Sequence, residues 1–226
     1  MEEMIRFIQT RFRRHADPAR AQWTKAYLKT DMPAYGLRKE HREVIHREFQ
    51  ERFEITSRAQ YRRAIETFWS MSHREHKHFA IWLACTWDKY ITIASVPLYE
   101  RMIRQGAWWD LVDGLAIDAV GLVVLNEPEK MNAKTERWID DPHLWIRRTA
   151  IICRIGHKDR TDRRILFNHC LRRAHEKEFF IRKAIGWALR ADAKTAPDAV
   201  RKFLIANRDK LSGLSLREAG KHLDIK

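Results

Sequence analysis

In the stretch GAWWDLVDGL, residues 106–115, Trp109 and Asp113 stand four residues apart, a spacing that stacks them on one face of a helix. Asp110 falls in the first turn of that helix, where the helix dipole favours a carboxylate. Asp113 lies too deep for that explanation. A second unusual position is Arg148. In DPHLWIRRTAIICRIG, at about 100° per residue, Leu144, Trp145, Ile151, Ile152 and Ile155 form an apolar arc. Arg148 falls inside this arc, while Arg147 and Arg154 fall outside it and read as solvated charges. An arginine among core residues must be paired, must snorkel or must face a cleft. The third position is Trp187. In FFIRKAIGWALR, Ile181, Ile185, Ala188 and Leu189 define the buried stripe, and Trp187 shares a flank with Phe180 beside Lys183 and Arg190. A carboxylate and an indole face both favour positive charge. The bland reading competes at each position: a tryptophan at helical spacing is usually core, a mid-helix aspartate is usually solvated, and Asp113 with Arg148 could form a structural salt bridge between neighbouring repeats.

Other chemistry is poorly supported. HREHKH offers His73, His76 and His78, but no further ligand stands at a metal-binding spacing, so the segment reads as a solvated basic face. Neither a Gly-rich phosphate loop, nor a nucleophile elbow, nor a zinc signature is present. Neither a metal nor an organic cofactor is expected.

The elements that must hold these residues read as helices. The chain has 8 Gly and 6 Pro in 226 residues, and no sustained alternation demands a strand. Asp17-Pro18 and Asp141-Pro142 each read as an N-cap followed by proline at the first helical position, and Pro97, Pro128 and Pro197 punctuate other segments. Asp113-Gly114 is a hairpin-type dipeptide. Trp108, Val112 and Leu115, however, recur at helical spacing and favour a helix through it, at a cost of about 1 kcal/mol for the glycine. WIRRTAII from Trp145 and FIRKAIGW from Phe180 form a weak internal repeat, offset by 35 residues, and Trp109 precedes Trp145 by a similar interval. Such a period in a helix-only chain predicts an all-α stack of antiparallel helical pairs of the HEAT or armadillo kind, with a concave basic face. The whole chain, 1–226, reads as one such domain, with the helices up to about Arg63 capping the stack.

Charge limits the partner. Lys and Arg number 44 against 30 Asp and Glu, a net +14, which favours a polyanion and argues against a generic peptide partner. Cys85, Cys153 and Cys170 are odd in number without a C-x-x-C pair, which suggests a reducing compartment. GLAIDAVGLVVL is too short to span a bilayer and contains Asp118. A monomeric cytosolic protein without a membrane partner is expected.

WWDLVD, WIRRTAI, EFFIRKAIGWALRADAKTAPD and LSLREAGKHL, in that order, resemble the AlkD family of bacterial DNA alkylation-repair glycosylases; YLKTDMPAYGLRKEHR resembles that family's N-terminal segment. The resemblance runs from about residue 5 to residue 223. The departures are Tyr35, where Phe is commoner, and the linker NEPEKMNAKTE. The resemblance implies a HEAT-like fold and hydrolysis of the N-glycosidic bond of cationic alkylpurines, such as 3-methyladenine and 7-methylguanine, in double-stranded DNA, without deep capture of the base. It assigns catalysis to Asp113, Trp109, Arg148 and Trp187, with Arg148 both holding a phosphate and steadying Asp113. Tyr27 matches a DNA-facing position, and Arg148, Lys183, Arg190 and Lys194 are expected to contact DNA. A non-catalytic nucleic-acid-binding helical stack would share the fold and charge, and a scaffold of the armadillo type would share the repeat.

Overall fold

Prolines and short polar caps set where the helices begin. In the computed structural model, which describes residues 1–223, the chain is helical with no strand among the described residues. It divides into two compact units, Met1–Tyr90 and Ile91–Lys226.

The first unit contains α1 (Glu2–Arg14), α2 (Pro18–Leu28), α3 (Lys39–Arg52), α4 (Arg58–Ser70) and α5 (Arg74–Thr86). Phe79 of α5 is fully buried and lies edge-on to Phe12, Phe49 and Phe68, so rings from α1, α3 and α4 meet at one side chain. Helix α2 is held differently. Asp17 caps it, accepting from the Arg20 backbone N–H at 3.0 Å, with Pro18 at the first turn as its sequence predicts. Leu28 is the one buried residue of α2. The loop behind it is pinned by the buried carboxylate of Glu75, which accepts backbone N–H bonds from Tyr35 (2.9 Å), Gly36 (2.7 Å) and Leu37 (3.2 Å). Gly36 has φ +78°, and a Cβ there would stand 2.3 Å from the Asp17 carbonyl oxygen, so only glycine fits.

The second unit contains α6 (Val96–Gly106), α7 (Trp109–Gly114), a π-turn (Leu115–Val120), α8 (Gly121–Asn126), α9 (Pro128–Trp138), α10 (Leu144–Ile152), α11 (Arg163–Arg172), α12 (Phe179–Asp192), α13 (Pro197–Ala206) and α14 (Gly213–Ala219). Pro97, Pro128 and Pro197 each stand at a helix start. The chain stays helical through Asp113-Gly114, then widens into the π-turn before resuming as α8. Helix α10 packs against α7 on one side and α12 on the other, and α12 packs against α14. The last contact is close: a Cβ at Gly186 would lie 2.4 Å from Glu218 Cβ.

Three sequence expectations are corrected. Asp141 does not cap α10, which begins at Leu144. Its carboxylate instead accepts the His143 N–H at 2.8 Å and two Arg104 contacts, of 3.0 and 2.6 Å. Arg147 and Arg154 are not solvated. Arg147 forms a two-point pair with Glu176, and Arg154 is 3% exposed, donating to Asn132 Oδ1 at 2.7 Å and Thr135 Oγ1 at 3.3 Å. A helix with neighbours on several sides has little solvated face left. Finally, HREHKH is not a solvated face: His76 is 2% exposed and stacks on Phe12, while His73 stacks on Tyr35.

Candidate active site

Helix α7 places Trp109 at its first position and Asp113 one turn later, both half-buried. Leu111 and Val112 anchor the helix beneath them. The π-turn begins two residues beyond Asp113. Such turns frequently mark functional positions, because the extra residue re-aims the side chains around it.

Arg148, from the middle of α10, grips Asp113 at two points: Nε donates to Oδ1 at 2.8 Å and Nη2 to Oδ2 at 2.7 Å. Nη1 donates to the Phe180 carbonyl at the start of α12, at 2.6 Å. The fork fixes the plane of the carboxylate, and the third bond fixes the guanidinium to the next helix. Burial is unequal, with 5% of the Arg148 side chain exposed against 16% of Asp113. The end of the pair that meets solvent is therefore the negative one. Arg148 thus contacts both oxygens of Asp113. With all three of its nitrogens engaged and its side chain buried, it turns no exposed face to a phosphate.

Aromatic rings surround the pair. The Arg148 guanidinium carbon lies 5.9 Å from the Phe180 ring centre and 6.0 Å from that of Trp187. Trp108, Trp145 and Phe180 form a cluster beside it, with centroids 4.9–6.1 Å apart. Trp187 is half-buried at the edge of the α12 stripe, whose Ile181, Ile185, Ala188 and Leu189 are buried. A cleft of about 390 Å³ opens beside Trp187, lined also by Ile155, Gly156, Lys158, Arg190 and Lys194. No described carboxylate pairs with Lys158 or Lys194.

Lys183 and Arg190 are in a different state. Glu218 of α14 takes Lys183 at 3.1 Å, Arg190 at 2.6 Å and Lys221 at 2.9 Å. Lys221 first, then Arg190 and Lys183, hold the Glu218 carboxyl down to about 2, against the opposing effect of burial. One carboxylate thus binds three cations that could otherwise meet an anion. Tyr27, in the first unit, is 58% exposed and lies flat against Trp23, itself 57% exposed, at 5.0 Å and 6°. Trp23 is not singled out by the sequence reading, although its four-residue spacing from Tyr27 would have revealed a shared helix face. Phe180 contributes through its backbone oxygen, which no side-chain pattern encodes. Lys158 sits at a left-handed φ of 55°, equally invisible to periodicity.

The family model described as "DNA alkylation repair enzyme" matches residues 8–223. The chain belongs to the DNA alkylation repair enzyme family. A solved structure described as a predicted DNA alkylation repair enzyme from Enterococcus faecalis is similar to it, with a TM-score of 0.85 and 25% sequence identity, over 94% of this chain and 98% of that one. No curated protein matches. For a DNA alkylation repair enzyme, the cations around Trp187 suit a phosphate backbone and the exposed carboxylate end suits a positive centre. Among the described residues, no group of three or more His, Cys, Asp or Glu could hold a metal ion, and no helix is long and apolar enough to cross a membrane.

Proposed function

We propose that this protein is a DNA glycosylase that hydrolyses the N-glycosidic bond of cationic alkylated purines in duplex DNA. The observation that carries the reading is the two-point hold of Arg148 on Asp113, with the carboxylate as the more exposed partner. Alkylation at N3 or N7 leaves the purine positively charged and weakens its bond to the sugar. As that bond breaks, positive charge develops on the deoxyribose, giving an oxocarbenium-like transition state. A fixed carboxylate in a partly water-excluded site stabilises that charge without having to reorganise. Asp113 also accepts a proton-side contact from water and orients it toward the anomeric carbon. Trp109 and Trp187 offer electron-rich faces to the sugar and the cationic nucleotide. Arg148 acts as a positioning residue. Lys158 and Lys194 hold backbone phosphates beside Trp187, with Arg190 and Lys183 contributing the charge that Glu218 leaves unneutralised, and Tyr27 meets DNA from the first unit. Selectivity then follows from the lability of the lesion rather than from a tight base pocket. The protein works as a cytoplasmic monomer.

A second reading has its own observation. Lys183 and Glu218 occupy the same relative repeat positions as Asp113 and Arg148 and are also paired, so Asp113–Arg148 could be one strut of a series in a non-catalytic DNA-binding protein. Single-turnover release of 7-methylguanine from methylated duplex DNA separates the two. The glycosylase releases free base and leaves abasic sites; the binding protein shifts the DNA and releases nothing above the spontaneous rate. Excision of neutral uracil as fast as 7-methylguanine would count against lability as the source of selectivity.

A further inference from the structure

The first unit holds a cavity that the proposed chemistry does not use. It has a volume of about 400 Å³ and lies where the end of α1 meets the starts of α2 and α3, lined by Arg14, His15, Asp17, Pro18, Arg38 and His41 with Ala16. Neither Arg14 nor Arg38 pairs with a carboxylate among the described residues. The one carboxylate in the lining, Asp17, is engaged as the cap of α2. The rings of His15 and His41 stack with centroids 4.4 Å apart at 30°. The Nδ1 atom of His41 is buried and has no hydrogen-bond partner. Arg38 is the N-cap residue of α3 and offers no acceptor, so the first turn of that 14-residue helix lacks the side-chain cap that α2 enjoys. Two guanidiniums without a carboxylate partner and two stacked imidazoles thus line one space, beside a helix start that has no side-chain cap.

We propose that this cavity binds a phosphate group. Guanidinium forks match phosphate oxygens geometrically, and a dianion relieves the repulsion that two stacked imidazoles suffer when both are protonated. The cavity is large enough for a phosphate with a sugar attached. The surrounding charges bear on His15 in a defined way. Burial lowers its pKa most, followed by His41 and Arg14, with Arg11 adding slightly and Glu48 opposing. Glu48 is itself paired with Arg11 at 2.7 Å, so it remains on the α3 side as a weak counterweight. Phosphate in the cavity favours protonated His15, and by linkage its binding raises the His15 pKa.

The test uses full-length protein and the imidazole C2–H signals of its histidines. Inorganic phosphate is titrated against sodium chloride at matched ionic strength. Saturable shifts at His15 and His41, with His73 unmoved, are expected in phosphate alone. Arg38→Ala and Arg14→Ala should each weaken the phosphate Kd about tenfold, the effect of losing one charge-assisted contact. A thymidine dinucleotide with and without a 5′-phosphate then identifies the source. Shifts with the phosphorylated form alone assign a terminal or free phosphate, and equal shifts with both assign the DNA backbone. Identical drift in chloride and phosphate, or both arginine variants binding phosphate as the wild type does, overturns the proposal. Because none of these readouts depends on base release, they stand apart from the success or failure of the glycosylase reading.

Discussion

Arg148 meets Asp113 through two nitrogen–oxygen contacts, at 2.8 and 2.7 Å, across an interval of 35 residues. Lys183 meets Glu218 across the same interval, so the four positions are evenly spaced along the chain. The two pairs nevertheless differ in what they leave open. In the first the cation is buried and the carboxylate is the more exposed member; in the second the lysine side chain is 36% exposed and the glutamate 10%. The more exposed member is thus the carboxylate in the pair one turn from Trp109, and the lysine in the pair one turn from Trp187.

Asp113→Asn removes the charge and keeps the shape. The buried Arg148 loses its counter-charge, so the melting temperature should fall, but binding of the folded variant to intact DNA should survive, because toward DNA the charge acts only as the sugar becomes cationic. Excision of 7-methylguanine in a single-turnover assay should fall by about 10²- to 10³-fold, the scale for one preorganised electrostatic group. A folded, DNA-binding variant that excises at the wild-type rate would remove Asp113 from the mechanism.

Arg148→Lys keeps a cation and loses the fork. The two-point hold on Asp113 and the bond to the Phe180 carbonyl cannot both be made by one ammonium. Excision should drop about tenfold or more while DNA affinity changes little, since the Arg148 side chain is buried and its nitrogens are engaged within the protein. Arg148→Ala should unfold the protein more easily, by about 3–5 kcal/mol, as expected for one partner removed from a buried pair. Equal loss of affinity and rate in the lysine variant would return Arg148 to phosphate binding.

Glu218→Gln should strengthen DNA binding. It frees Lys183, Arg190 and Lys221 from a carboxylate that holds all three. A plot of log K against log salt should become steeper, by roughly 0.9 for each phosphate newly neutralised. An unchanged slope would mean that these cations face away from DNA.

Trp23→Ala and Tyr27→Ala should cost little stability, within about 0.5 kcal/mol, because both side chains are more than half exposed. Each should weaken DNA binding in a fluorescence-anisotropy titration. A large fall in melting temperature with unaltered binding would make the stacked pair a packing feature.

Acid should destabilise the fold through its buried histidines. Burial holds His46, His76 and His157 down to about 4, against an ordinary 6.5. In the unfolded chain they take up protons near pH 6.5, and in the folded chain only near 4. Their contribution is therefore intact above pH 6.5 and is lost as pH falls toward 4. The melting temperature should drop across that window, and His76→Phe, which replaces a buried ring whose two nitrogens have no partner, should flatten the drop. A melting temperature constant from pH 7 to 4 would show the rings to be solvated.

The sequence made the helices legible because prolines, caps and apolar spacing act locally. Asp17-Pro18 starts α2, the stripe of α12 is buried, and so are Val112 and Leu115, while Trp108, placed in the same stripe by its spacing, is only half-buried. The odd placement of Asp113, Arg148 and Trp187 was also visible, since each breaks a pattern that its neighbours keep. What stayed hidden depends on partners distant in the chain. Arg154 looked solvated because its acceptors, Asn132 and Thr135, come from α9. His76 looked exposed because Phe12, from α1, covers it. Glu218 claims three cations, two of them from α12, some 28 to 35 residues away in the chain, which no local pattern encodes.

The even spacing of the Asp113–Arg148 and Lys183–Glu218 pairs also bears on how the chain can change in length. One residue inserted within α10 ahead of Arg148 would turn that side chain by about 100° and carry it off Asp113. The same insertion in the segment 139–143, ahead of the first turn of α10, is absorbed by the loop. Relatives of this protein are thus free to drift in length between their helices and are held to fixed length within them. A loop-for-loop swap between two such relatives should preserve the ion pairs, whereas a crossover inside α10 that alters its length should break them.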